Sequence, residues 1–217
     1  MIHDPVKRRL LRTVAGLAVC GTSLARGLLT PTPRQSAGPF YPVERPLDDD
    51  NDLTRVRGQQ GIASGEITDL SGHVRDVSGR PIRDARIEIW QCDAHGRYRH
   101  PRERGAAPID AAFQGFGHTH TDVLGGYRFR TIKPVSYPGR TPHIHIAVFT
   151  SAVDHPFVTQ LYNRAEPGNT DDFLFNRIPV ERRHLVLADF RAAEGADVEY
   201  RAGFDIILHP QEGTPAS

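Results

Sequence analysis

The sequence predicts an all-β, single-domain β-sandwich with an extended N-terminal arm and long loops that carry its chemistry. Short runs alternate apolar and polar side chains, as in Ala85-Arg86-Ile87-Glu88-Ile89-Trp90-Gln91 and Tyr127-Arg128-Phe129-Arg130-Thr131-Ile132, the pattern of strands with one buried face. Turn signals separate these runs, and roughly seven or eight of them suit a sandwich or barrel. No long amphipathic helix, internal repeat or Gly-rich phosphate loop is visible. With 217 residues, 17 of them Pro and 20 Gly, the chain has the length for one domain with ordered loops.

Residues 1–25 read as an export signal. Lys7-Arg8-Arg9 precede an apolar run over 10–24, and Ser23-Leu24-Ala25 offers small residues for cleavage. Arg8-Arg9-Leu10-Leu11 is similar to a twin-arginine signal, the route for proteins folded before export. Arg12, Gly16 and Gly21 interrupt the run, so no stable membrane span is expected in the mature form. Leu17-Ala18-Val19-Cys20 is a poorer fit to a lipoprotein box. The expectation is a periplasmic or secreted protein.

Residues 26–64 form the arm, in which Gly38-Pro39-Phe40-Tyr41-Pro42 is expected to pack its aromatics across a sheet, with Tyr41 a tether rather than a ligand. The domain proper spans 65–210. Strands are expected at 67–74 and 85–91, separated by a turn at 76–81 in which Gly79 supplies a positive φ. Residues 93–115 form a long loop, broken by Gly96, Pro101, Gly105 and Pro108, of a length that is usually functional or disordered. It holds Tyr98. Further strands are expected at 118–122, 127–132, 143–149 and 157–162. A polar loop follows over 163–176, a part-helical or extended stretch over 179–190, and a final strand region over 199–208. Residues 211–217 are a tail.

A net charge of +1, with the two signs interspersed, gives no electrostatic reason to expect nucleic acid or a polyanionic partner. Cys20 and Cys92 are the only thiols, so no disulfide framework is implied, and Cys92 reads as a small buried hydrophobe.

His143-Ile144-His145 is the stretch around which the chemistry gathers. Alternate residues of a strand share a face, so the two imidazoles can grip one ion. The competing reading is a pair of satisfied, half-buried histidines. Tyr98 and Tyr137 favour the metal. Two phenolates and two imidazoles make an N2O2 donor set of charge minus two, suited to a hard trivalent ion and above all to Fe(III). Only a strongly Lewis-acidic ion holds tyrosine ionised near neutral pH, since the phenol ordinarily titrates near ~10. His118-Thr119-His120 also shares a face; a surface place, or one behind the ligands, is favoured over an all-histidine copper or zinc site. Solvent exposure is expected for His100, and Tyr162 reads as core.

The order and spacing of Gly38-Pro39-Phe40-Tyr41-Pro42, residues 72–82, Ile89-Trp90-Gln91-Cys92-Asp93, Gly96-Arg97-Tyr98, Phe113-Gln114-Gly115-Phe116-Gly117, Phe129-Arg130-Thr131-Ile132-Lys133-Pro134, Tyr137-Pro138 and Arg140-Thr141-Pro142-His143-Ile144-His145 resemble the intradiol ring-cleavage dioxygenases. That resemblance covers more than half of the chain. It implies an Fe(3+) enzyme that cleaves a catecholic ring between its hydroxyls with O2 to a cis,cis-muconate. It also implies Tyr98, Tyr137, His143 and His145 as metal ligands, with Tyr137 leaving when the substrate chelates. Arg140 would lie beside the bound ring, and Gln160 matches the family's active-site Gln. Where the protocatechuate enzymes carry a tryptophan soon after the second tyrosine, this chain has Gly139. The helical dimerisation region of the catechol and hydroxyquinol enzymes is absent, and a homodimer is the expected assembly. The stretch 72–90 with 121–129 also resembles transthyretin-like and carboxypeptidase-regulatory-like binding modules, which need none of the four candidate ligands.

Overall fold

The computed structural model describes residues 27–45, 48–195 and 197–209. The segments read as an export signal (1–25) and a tail (211–217) lie outside the described residues, among which no helix is long and apolar enough to cross a membrane. Among the described residues ten strands appear in chain order: β1 (Ile67–Asp76), β2 (Arg86–Trp90), β3 (Phe116–His120), β4 (Gly126–Ile132), β5 (His143–Phe149), β6 (Phe157–Asn163), β7 (Leu187–Ala188), β8 (Phe190–Ala192), β9 (Tyr200–Gly203) and β10 (Ile206–Leu208). They form two five-stranded sheets. In the first, β1 pairs antiparallel with β4 on one side and parallel with β9 and then β10 on the other, with β8 outside β9. The second has the order β3-β2-β5-β6-β7.

Alternation along the strands builds the core. Ile87 and Ile89 of β2, Ile144, Ile146 and Val148 of β5, and Leu161 of β6 point inward to meet Leu70, Val74, Phe129, Ile206 and Leu208 of the other sheet. Their partners in alternation, Glu88, Trp90, His143, His145, Gln160 and Tyr162, occupy the outer face of the second sheet, yet each is also buried. The arm is what covers them. It is tied down by Thr32 N donating to Ile207 O (3.0 Å), Gln35 N to Val158 O (2.8 Å) and Thr159 Oγ1 to Pro33 O (2.8 Å).

The expected strands are present, with shifted bounds. β3 begins and ends two residues before the predicted 118–122 because Asp122 leaves the ladder to cap the next turn, its Oδ1 accepting from Leu124 N and Gly126 N at 2.8 Å. The polar loop 163–176 contains a 3-10 turn, Pro167–Thr170, and a single helical turn, α1 (Phe173–Asn176), capped by Asp172. Residues 179–190 resolve into a 3-10 segment, Val180–Val186, followed by β7. The strands β7 and β8 are too short to show a period and are defined by their pairing alone.

Gly72 marks where β1 changes partner from β9 to β10. A Cβ there would lie 1.8 Å from the Phe204 carbonyl oxygen, which also accepts from Tyr127 Oη at 2.6 Å. Backbone oxygen cannot yield that space, so Gly72→Ala is expected to cost about 3 kcal/mol or more in a denaturant titration. Gly203→Ala, with nothing within 4 Å of its Cβ, is the matched control and should stay within about 0.5 kcal/mol of wild type.

The turn after β1 is built on Asp76, whose Oδ1 accepts from Ser78 N (2.8 Å), Ser78 Oγ (2.6 Å) and Arg80 N (3.0 Å) while Oδ2 accepts from Arg80 Nε (2.8 Å). Burial works against the charge, but these donors outweigh it and bring the carboxyl from an ordinary 3.8 to about 2. The ionised form is favoured by the fold, so its contribution is complete above pH 3.8 and is lost as pH falls toward 2. Asp76→Asn should flatten that part of the acid-unfolding curve; an unchanged curve would remove the role.

Candidate active site

β5 supplies the two histidines. Strand alternation sets both on the outer face, where each is 1% exposed. Across the ladder, Trp90 of β2 and Gln160 of β6 flank His145 in register, and Tyr162 flanks His143. The Trp90 and His145 rings stack 4.8 Å apart and nearly parallel, at 4°. His143 Nδ1 lies 2.6 Å from Thr141 O, which fixes the proton on that nitrogen and leaves Nε2 with a free lone pair. The two Nε2 atoms face each other at 3.2 Å, and His145 Nδ1 is buried without a partner. Burial first, and then the Arg140 charge, lowers His143 to about 4; burial, then His143 and Arg140, lowers His145 well below the usual imidazole range. Both rings are therefore neutral at neutral pH, the form that binds metal.

The tyrosines come from loops. Tyr98 follows a turn in which Asp93 Oδ1 accepts from His95 N (2.9 Å) and Arg97 N (3.0 Å), and its own amide donates to Glu103 Oε2 (3.2 Å). Its ring is 2% exposed, stacked on Phe40 at 4.6 Å. Tyr98 Oη is buried and has no hydrogen-bond partner. Burial, and after it the negative charge that Cys92 and Tyr137 would carry, push this phenol well above its ordinary value. Tyr137 is half-buried on a turn bridged to Arg140, with Gly139 at φ 81. Burial raises its phenol, while the Arg140 charge pulls in the opposite direction.

The four rings close a circuit. Centroid separations are 6.3 Å from Tyr98 to His145, 4.8 Å from His145 to His143, 5.5 Å from His143 to Tyr137 and 5.4 Å from Tyr137 to Tyr98. All four candidate ligands predicted from the sequence are thus brought together.

Arg140 and Gln160 adjoin the circuit. Arg140 Nη2 donates to Gln160 Oε1 at 2.6 Å, and Nη1 lies 3.5 Å from Tyr137 Oη. Its anchor is Asp172, whose Oδ2 accepts from Arg140 Nε at 2.8 Å and from Thr141 N at 3.0 Å. Asp172 Oδ1 meanwhile caps α1 through the amides of Leu174 and Phe175 at 2.9 Å. Desolvation opposes the Arg140 charge, but the Asp172 bond outweighs it and raises the guanidinium further. Desolvation also opposes the Asp172 charge, and the helix amide of Phe175 together with Arg140 outweighs it and lowers the carboxyl.

Asp172 escaped the sequence reading, although Asp followed by Phe173-Leu174-Phe175 is an N-cap signal within the polar loop. Gln35 escaped too; its Oε1 accepts from Gln160 N (2.9 Å) and its Nε2 donates to Tyr162 Oη (3.0 Å). Nothing local in the arm announces that contact. Tyr162 is core, as expected, but its hydroxyl also donates to Gln160 Oε1 at 3.0 Å.

The aromatic segment of the arm closes the site. Tyr41 Oη donates to Glu88 Oε2 at 2.7 Å while its ring meets Trp90 edge-on at 5.0 Å. Glu88, fully buried, is also held by Arg86 (2.9 Å) and Arg45 (3.3 Å). Gly38, at φ 68, lets the backbone lie against the His145 ring; a Cβ would come within 3.3 Å of Cε1. A pocket of about 650 Å³ opens over Tyr137 and Arg140, between the arm and the loop carrying Tyr98.

His100 departs from expectation: it is buried, its ring set against Phe40 at 5.7 Å, because the arm folds over the loop. Cys92 is buried, as expected. His118 is half-buried, with Nδ1 2.5 Å from Asp49 O, and His120 is exposed. Among the described residues no three His, Cys, Asp or Glu side chains converge as a metal site, so the all-histidine arrangement is not formed.

A family model described as Dioxygenase matches residues 37–210. The chain is 35% identical over 192 residues to the protocatechuate 3,4-dioxygenase beta chain of Burkholderia cepacia, covering 84% of this chain and 81% of that one. It is 31% identical over 199 residues to a hydroxyquinol 1,2-dioxygenase of Corynebacterium glutamicum, covering 80% and 62%. Among solved structures it is similar to the dioxygenase domain of a dioxygenase carbohydrate-binding protein fusion from Streptomyces sp. SirexAA-E, with a TM-score of 0.61, 29% identity, and 83% and 99% of the two chains covered. An intradiol ring-cleavage dioxygenase from Tetranychus urticae, 19% identical, shares the fold at a TM-score of 0.65 over 85% and 97%. These matches set aside the transthyretin-like module, and the chain belongs to the intradiol ring-cleavage dioxygenase family.

Proposed function

We propose that this protein is a non-haem Fe(III) dioxygenase that opens a catecholic ring between its two hydroxyls with O2, giving a cis,cis-muconate-type product. Tyr98, Tyr137, His143 and His145 are the ligands in this reading. The observation that carries it is the closed circuit of two phenols and two neutral imidazoles, with the histidine Nε2 atoms 3.2 Å apart and Tyr98 Oη buried without a partner. The nitrogen separation suits adjacent donors each about 2.1 Å from a common ion. Two phenols raised above their ordinary range, one buried and one half-buried, stay protonated unless a strong Lewis acid replaces the proton, and the N2O2 set favours Fe(III). The buried Tyr98 oxygen then ceases to be an orphan.

Tyr98, Tyr137, His143 and His145 would hold the ion, which when bound would supply Lewis acidity and a template for the diol. The protein supplies the rest. Tyr137 lies on the open side, against the pocket, and its phenolate oxygen is the acceptor for one catechol proton. Arg140 is held rigidly by Asp172 and Gln160, so its charge faces the pocket without reorganising when negative charge develops on the ring. Phe40 and the arm segment around it exclude water from the Tyr98 side. The expected signal over 1–25 makes this an exported enzyme, periplasmic or secreted, working without a stable membrane span or nucleic-acid partner and assembling as a homodimer.

The metal-loaded protein should be coloured by tyrosinate-to-iron charge transfer. Tyr98→Phe should abolish or strongly shift the visible band, and His145→Ala should lose most of the iron measured on the same sample. Wild-type colour and iron in both variants would rule out the ligand set.

Arg140→Ala should keep iron and colour while turnover of catechol falls about 10²-fold, the scale for removing one preorganised electrostatic group. It also strands Asp172 as a buried, unpaired carboxylate, destabilising the fold by about 3 kcal/mol. Arg140→Ala combined with Asp172→Asn should recover stability in a thermal melt but not turnover; recovery of both would show that the arginine serves the fold alone.

A further inference from the structure

The pocket over the site is larger than a single-ring catechol requires. Its volume of about 650 Å³ falls in the range of sites for drug-sized ligands, about 300–1,000 Å³. Small residues keep its walls back: Gly96, Gly105, Ala106 and Gly139 all line it. A Cβ placed on Gly139 would meet nothing within 4 Å, so the side next to Tyr137 is open space.

One large apolar side chain on that wall is turned outward rather than into the core. Phe173 is 56% exposed, whereas Phe175, two residues on, is buried with its ring 5.1 Å from that of Tyr162. Phe173 is nonetheless held in place. It opens α1, whose cap Asp172 is the same carboxylate that grips Arg140, and its ring centroid lies 5.7 Å from the Arg140 guanidinium. The Arg177 guanidinium stands 5.9 Å away. A fixed phenyl ring facing a roomy pocket, one residue from the anchor of Arg140, is placed to receive a flat apolar group that extends outward from a bound diol.

We propose that Phe173 is a specificity-determining residue, forming an aromatic platform for the second ring of an aryl-substituted catechol. The inference rests on the ring-cleavage reading above and names the substrate class for that site. The diol end is held at the circuit of tyrosines and histidines; the distal ring leaves past Arg140 and lies against Phe173 in the space that Gly139 leaves open. Aromatic pairing adds to the burial of apolar area there, and it is absent for catechol itself, which is too short to reach.

The test uses the iron-loaded full chain, with catechol and 4-phenylcatechol as probes. Binding is titrated without O2 by following the visible band, and cleavage is then measured in air. Wild type is expected to bind 4-phenylcatechol about tenfold more tightly than Phe173→Ala does, with catechol binding equal in the two proteins to within about twofold. Phe173→Tyr should restore the two-ring affinity. Because Phe173 is exposed and its amide is not used in capping, the variants should fold as wild type does. Equal loss for both probes, or no loss for either, would overturn the platform while leaving ring cleavage intact. If catechol neither shifts the band nor is cleaved by the wild-type protein, the ring-cleavage reading falls and this inference falls with it.

Discussion

Everything around the site follows from the burial of two imidazoles side by side on the outer face of a sheet. Polar groups withdrawn from water cost free energy unless they find partners. Here one ring nitrogen of His143 is matched to the Thr141 carbonyl, and the remaining nitrogens are left to face each other or to stand alone. Such an arrangement persists only if the rings are clamped from outside. Trp90 stacks flat on His145, Tyr41 braces Trp90, and the Tyr41 hydroxyl is fastened to the buried Glu88. The arm thus does what a third layer would do in a larger sandwich. It converts a solvent face into an interior one and leaves the neutral imidazoles the only form compatible with the site.

A second constraint is electrostatic. Arg140 stands between Tyr137 and Gln160 and would be an expensive charge to bury by itself. Asp172 offsets that cost with a hydrogen-bonded ion pair, and the same carboxylate spends its other oxygen on the amides of α1. One residue therefore fixes both the cation at the pocket and the short helix that forms part of the pocket wall. The coupling explains why a stretch that reads as an undistinguished polar loop is ordered. It also explains why Phe173 can sit exposed and still be held.

Much of the site was legible because strand periodicity is short-ranged. His143 and His145 share a face by virtue of a two-residue spacing, and the chemistry of two phenols with two imidazoles points to one class of metal whatever the fold around them. His100 was misjudged because its burial depends on Phe40, sixty residues away, crossing over the loop. Gln35 went unseen for the same reason, its partners being Gln160 and Tyr162 at the far end of the chain. The strands β7 and β8 lack the length to display a period, so only their neighbours define them.

The sequence by itself determined the all-β class, the inward aliphatic stripe of β2, β5 and β6, and the shared face of His143 and His145, because alternation acts over a few residues; Tyr98, 45 residues before His143, joined that pair only through the order and spacing of motifs shared with the family. Tertiary structure alone decided which groups hold those residues in place: the arm laid over the second sheet, Asp172 beneath Arg140, and the wall on which Phe173 stands. Contacts of that kind join segments separated by tens of residues, and their strength comes from desolvation and packing that exist only once both sheets have closed on each other.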